Sequence, residues 1–99
     1  IWGGSGNDRI SGDGQSSLSG GTPGFSLGPG DGDDTISGED GNDTIFGGAD
    51  GDTLAGDAGD DSLFGDGGND SLAGGADADT LLGDVGDDTL DGGAGADLV

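Results

Sequence analysis

Nine aspartates keep step along this chain: Asp8, then Asp34, Asp43, Asp52, Asp61, Asp70, Asp79, Asp88 and Asp97, the last eight spaced nine residues apart. A carboxylate that returns on a fixed period can be brought into register with its own copies. Carboxylates facing one another at strand spacing repel strongly unless a cation sits between them. The chain has no Cys and no His, so it offers neither thiolate nor imidazole to a metal. Its glycine-rich turns aim backbone carbonyl oxygens inward instead. Carboxylate plus carbonyl oxygen is a hard-cation environment, and its flexible, many-oxygen character favours Ca²⁺ over Mg²⁺.

The elements that must position these aspartates follow from the same period. Two residues after each aspartate comes an apolar one, and the same apolar beat runs along the whole chain as Ile1, Ile10, Leu18, Leu27, Ile36, Ile45, Leu54, Leu63, Leu72, Leu81, Leu90 and Val99. Every step is nine residues except the eight from Ile10 to Leu18. The unit reads G-G-x-G-x-D-x-U-x, with U apolar. Segments such as "GGADGD" cannot be helical, because each glycine costs about 1 kcal/mol there. Glycine at alternating places permits positive φ and a tight turn. The tripeptides "TIF", "TLA" and "SLF" alternate as very short strands do. One such unit buries nothing alone. Stacked units give an all-β parallel β-helix solenoid with two short strands per 18-residue coil and the U side chains inside. One edge then carries Asp34, Asp52, Asp70 and Asp88, and the other Asp43, Asp61, Asp79 and Asp97.

Composition narrows the partners. Asp and Glu number 22 against the single base Arg9, for a formal charge of -21, while 28 residues are Gly and only 27% are hydrophobic. Such a chain has little to bury and much to repel, which predicts disorder until a cation arrives. Nucleic acid and anionic membrane surfaces are excluded as partners by charge. No apolar run is long enough for a membrane helix or a signal-peptide core. An EF-hand is excluded, since its loops need Glu at the twelfth place and Glu39 is the only Glu. A glycosidase carboxylate pair is a poor reading of a chain with an acid at every turn and few aromatics. No Lys follows the glycine clusters, so they are no phosphate cradle.

The nonapeptide resembles the RTX (repeats-in-toxin) calcium-binding β-roll. Gly3–Ser11 fits the pattern in full, and eight units follow without interruption from Pro29 to Val99. The resemblance implies a right-handed parallel β-roll that holds about six Ca²⁺ between adjacent coils. It implies ligation by the sixth-position aspartates, Asp34 to Asp97, and by turn carbonyls at Gly30, Gly32, Gly41, Gly48, Gly59, Gly68, Gly75 and Gly86. It also implies a non-enzymatic module, type I secretion, and folding outside the cell or at its surface. Asp50 and Asp77 replace the fourth-position glycine, and Asp tolerates left-handed φ better than most residues. Glu39, Asp57, Asp66 and Asp84 replace the second, and still offer a carbonyl.

Residues 1–99 read as a single roll, an excerpt of a longer solenoid. Within it, residues 12–28 lose the aspartate; Ser17 and Phe25 stand near its place. They form either two degenerate half-coils or a loop that leaves the stack. The first predicts six ions and a silent Asp8; the second stacks Asp8 over Asp43 and predicts a seventh. The kept apolar beat of Leu18 and Leu27 favours six.

Two outward ladders remain. Position seven is Thr or Ser from Thr35 to Thr89, which reads as β-propensity and hydroxyl stacking rather than an ice-binding face. Position nine is asymmetric: Phe46, Phe64 and Leu82 fall on one sheet, Ser37, Ala55, Ala73 and Asp91 on the other. An exposed Phe–Phe–Leu stripe on an acidic solenoid suggests a partner surface for neighbouring domains or for other solenoids.

Overall fold

The computed structural model describes residues 9–11 and 32–99, and among them every regular element is a strand. In chain order these are β1 (Arg9–Ser11), β2 (Thr35–Ser37), β3 (Thr44–Ala49), β4 (Thr53–Ala58), β5 (Ser62–Gly67), β6 (Ser71–Ala76), β7 (Thr80–Leu82) and β8 (Thr89–Ala94). They form two parallel sheets, ordered β1-β3-β5-β7 and β2-β4-β6-β8. Odd and even strands alternate along the chain, so successive strands lie in opposite sheets. From β2 to β6 each strand pairs with the strand one coil later, 18 residues on: Thr35 beside Thr53, Thr44 beside Ser62, Ser62 beside Thr80. This is the parallel β-solenoid with two strands per coil that the period demands.

The core is one column of apolar residues from both sheets. Ile36, Ile45, Leu54, Leu63, Leu72 and Leu81 are all at most 2% exposed. Burying such a side chain contributes about 1.5–3 kcal/mol. Leu90 is only partly buried against this cluster and Val99 is 67% exposed, although both keep the apolar beat. Both lie in the last of the described coils.

Five of the eight described strands are longer than the three residues the sequence suggests. β3, β4, β5, β6 and β8 each run six residues, through positions seven to nine of one unit and one to three of the next. Position three extends the ladder: the Ala58 N–H donates to the Glu39 carbonyl and the Val85 N–H to the Asp66 carbonyl. Half of what reads as turn is therefore strand, because its hydrogen-bond partners lie a coil away.

β1 stands directly beside β3, with Arg9 opposite Thr44 and Ile10 opposite Ile45. The two readings of residues 12–28, and the position of Asp8, lie outside the described residues.

Candidate metal centre

Each turn puts its second and fourth residues in the left-handed backbone region. Glu39, Asp57, Asp66 and Asp84 at the second position have φ of 73°, 75°, 70° and 71°. Asp50 and Asp77 at the fourth have 74° and 81°, as their tolerance of that region allows. Gly59 at the fourth position reaches 129°, and a Cβ there would stand 2.0 Å from the Gly41 carbonyl oxygen of the preceding coil. The turns thus stack backbone on backbone. Gly32, Gly41, Gly48, Gly59, Gly68, Gly75 and Gly86 all take these positive-φ places, whereas Gly30 lies outside the described residues. At second positions part of the carbonyl capacity is already used, since Glu39 and Asp66 accept the strand bonds described above.

The sixth-position aspartates point inward. Asp34, Asp43, Asp52, Asp61, Asp70 and Asp79 are at most 3% exposed, while Asp88 and Asp97 near the end of the stack are half-buried. Each carboxylate reaches back one coil. Asp61 Oδ1 accepts the Asp43 N–H at 2.7 Å, Asp52 Oδ1 accepts that of Asp34 at 2.8 Å, and Asp70 Oδ1 that of Asp52 at 2.8 Å. The pattern continues to Asp88 and Asp97. The second oxygen is treated differently. Oδ2 of Asp52, Asp61, Asp70 and Asp79 is buried and has no hydrogen-bond partner. An oxygen in that state is costly when charged.

Position-one glycines explain how those oxygens fit, and the sequence pattern gave them no role. Beside the α-carbon of Gly56, Asp61 Oδ2 and the Gly74 carbonyl oxygen of the next coil lie 2.3 and 2.6 Å from the point a Cβ would occupy. The same convergence recurs at Gly47, with Asp52 and Gly65, and at Gly65, with Asp70 and Gly83. A carboxylate oxygen and a carbonyl oxygen from neighbouring coils therefore face a shared space.

Electrostatics report the same strain. Burial, above all, pushes Asp52 and Asp61 up to about 6, and the carboxylates stacked above and below add to it. The hydrogen bonds they accept from Asp34 and Asp43 pull the other way and do not win. Asp70 and Asp79 are raised by the same causes. A cation relieves what protons otherwise must. Among the described residues no three acidic side chains gather at one point, so a cation held here draws further oxygens from the backbone. The residues fit a hard, oxygen-seeking ion: buried carboxylate oxygens without donors, carbonyls beside them, and no nitrogen or sulfur ligand.

A second ladder runs the opposite way. At position five, Asn42 Oδ1 accepts the Asp60 N–H of the next coil, Asp60 Oδ1 that of Ala78, and Asn69 Oδ1 that of Asp87, all at 3.0 Å. Asp33 does the same for Gly51. The sequence could have suggested this only through the clustering of Asn and Asp at position five, which Gly51, Ala78 and Ala96 interrupt.

The position-nine stripe occupies one sheet, with Phe46 beside Phe64 and Phe64 beside Leu82. The phenyl rings stack with centroids 5.0 Å apart and planes at 13°, so both rings are half-buried rather than fully exposed. Leu82 is 51% exposed. Ser37, Ala55, Ala73 and Asp91 form the matching column of the other sheet.

No curated protein and no solved structure matches the chain. Four stretches, residues 1–18, 30–63, 46–81 and 64–99, match the RTX calcium-binding nonapeptide repeat. With that coverage and a solenoid built on the same nonapeptide, the chain belongs to the RTX calcium-binding repeat family and is a calcium-binding module.

Proposed function

We propose that this module folds when Ca²⁺ binds, outside the cell, as the structural part of a secreted bacterial protein. The observation that carries the reading is the set of buried, donorless carboxylate oxygens on Asp52, Asp61, Asp70 and Asp79. A coil cannot close over such oxygens cheaply unless a proton or a cation closes with it. Millimolar Ca²⁺ outside cells suits the 10⁻⁴–10⁻³ M affinities of extracellular modules. Family membership supports the secreted setting and a role that is structural rather than catalytic. Circular dichroism of the chain in EDTA and in millimolar Ca²⁺ tests it: strand signal is expected only with Ca²⁺. A full strand spectrum in EDTA at neutral pH would sink the reading.

Six rungs lie within the described residues, Asp34/Asp52, Asp52/Asp70 and Asp70/Asp88 on one edge, and Asp43/Asp61, Asp61/Asp79 and Asp79/Asp97 on the other. Six divalent ions add twelve charges and bring -21 to -9. The pairing of Arg9 with Thr44 supports a seventh rung between Asp8 and Asp43, against the six that the apolar beat of Leu18 and Leu27 favours. Asp8→Ala then costs one ion in a calcium titration, whereas an unchanged ion count restores six.

A second reading has one observation in its favour. Phe46, Phe64 and Leu82 line a single sheet, and Leu82 is half exposed. This supports a building block that associates through the stripe, in a filament, surface layer or adhesin.

A further inference from the structure

We infer that the position-one glycines Gly47, Gly56, Gly65 and Gly74 are positioning residues for the cation. Their lack of a Cβ holds the aspartate five residues later in the orientation that presents Oδ2 to the next coil. The inference rests on the calcium reading and deepens it.

Two kinds of glycine occur in each unit, and their backbones separate them. Gly48, Gly59, Gly68 and Gly75 have φ between 114° and 141°, a region that L side chains rarely adopt. The chain nevertheless replaces such glycines with Asp or Glu elsewhere, at φ of 70–81°. Gly47, Gly56, Gly65 and Gly74 have no positive φ, so their backbone would accept any residue. Yet this position is glycine in every unit from Gly38 to Gly92. Conformational freedom does not explain that; space does. All four are buried, and a Cβ on them would lie 2.3–2.5 Å from the aspartate Oδ2 and 2.6–2.9 Å from a carbonyl oxygen of the next coil. The carbonyl belongs to paired backbone, while the carboxylate can turn about its own bonds. An added methyl therefore swings the carboxylate out of the shared space first. Groups that orient a metal ligand without touching the metal typically carry 10–100-fold of its affinity.

The test compares the full chain with Gly56→Ala, Asp61→Ala, the double variant, and Gly67→Ala, by calcium titration calorimetry and by circular dichroism at saturating Ca²⁺. Gly67 is a control, since a Cβ there meets nothing closer than the Gly48 carbonyl at 3.8 Å. Gly56→Ala should lose the same ions as Asp61→Ala, with binding at those rungs weakened about tenfold or more, while Gly67→Ala binds as the parent does. The double variant should lose no ions beyond those Asp61→Ala loses; its fold is expected to be weaker, since the methyl still stands 2.6 Å from the Gly74 carbonyl oxygen and 2.9 Å from the Asp61 Cβ, so the ion count is the readout. An unchanged ion count and affinity in Gly56→Ala would overturn the inference. So would a double variant that binds fewer ions than Asp61→Ala, which would place the loss outside the Asp61 carboxylate. A parent chain that takes up no Ca²⁺ would overturn the calcium reading itself, whatever Gly56→Ala does.

Discussion

Asp61 holds two opposite obligations in one side chain. Its Oδ1 satisfies the Asp43 N–H, while its Oδ2 has no donor. Asp61→Asn keeps the acceptor and removes the charge, so it should raise the strand content of the chain in EDTA and weaken calcium binding. Asp61→Ala also loses the acceptor and should cost the calcium-loaded fold about 1–3 kcal/mol more than Asn does; calcium-midpoint shifts by circular dichroism separate the two. The pH response has a definite sign. Asp52 and Asp61 titrate near 6 when folded against 3.8 for an ordinary carboxyl, so the folded, metal-free coil holds more protons than the unfolded chain across that window. Its stability is greatest below pH 3.8 and is lost as pH rises through 6. Acidification in EDTA should therefore induce strand signal, and acidification in Ca²⁺ should release the ion to a calcium electrode. A metal-free chain indifferent to pH between 7 and 4 would contradict the buried-carboxylate account. The aspartates were legible in the sequence because their period is strict. The role of Gly56 was not, since a glycine beside a turn reads as flexibility until the oxygen beside its α-carbon is located. Nor was the Asn42–Asp60 bond, whose partners stand 18 residues apart.

The strands show the same division between what a short window reveals and what only the register reveals. The tripeptides around Ile45 and Leu63 identified β3 and β5, and the apolar beat identified the core down to Leu81. Their second halves, Gly47–Ala49 and Gly65–Gly67, were hidden behind glycine, which weakens a strand unless its neighbours hold it. Here the neighbours are identical segments one coil away. Because each core residue packs against its neighbours in the column, Leu63→Ala should cost about 2–5 kcal/mol and raise the calcium midpoint more than Leu90→Ala, which starts half-covered. Equal shifts would argue against a column closed only in its middle. Changing Phe46, Phe64 and Leu82 together to Ser should weaken assembly or docking in sedimentation velocity while leaving calcium affinity alone. Unchanged assembly would count against a contact role for the stripe.

For the molecule as a whole, charge is both obstacle and switch. At about 1 M NaCl the Debye length falls to ~3 Å and screens the exposed acids. Screening does nothing for Asp52, Asp61, Asp70 and Asp79, whose oxygens are already out of water. Concentrated NaCl should therefore fail to replace millimolar Ca²⁺ in a circular dichroism titration, and a NaCl-folded coil would show that diffuse repulsion, rather than buried oxygens, is what calcium cures.

The constant 18-residue register has a consequence for how such a molecule can change length. Every coil from Thr35 onward offers its neighbours the same apolar column, turns and aspartate ladder, so interior coils are nearly interchangeable. Unequal exchange between gene copies that removes residues 56–73 would join Ala55 to Gly74 and restore the strand register and the aspartate ladder, giving a shorter roll with fewer ions and the stripe still in line, at the cost of the Asp87 bond, which would face Gly51 in place of Asn69. Removing nine residues, 56–64, would instead hand every later strand to the opposite sheet, and Leu82 would move to the face of Ser37 and Ala55. Heredity can thus adjust the reach of this solenoid in whole coils at little risk, while half-coil steps rewrite which face it shows to the world.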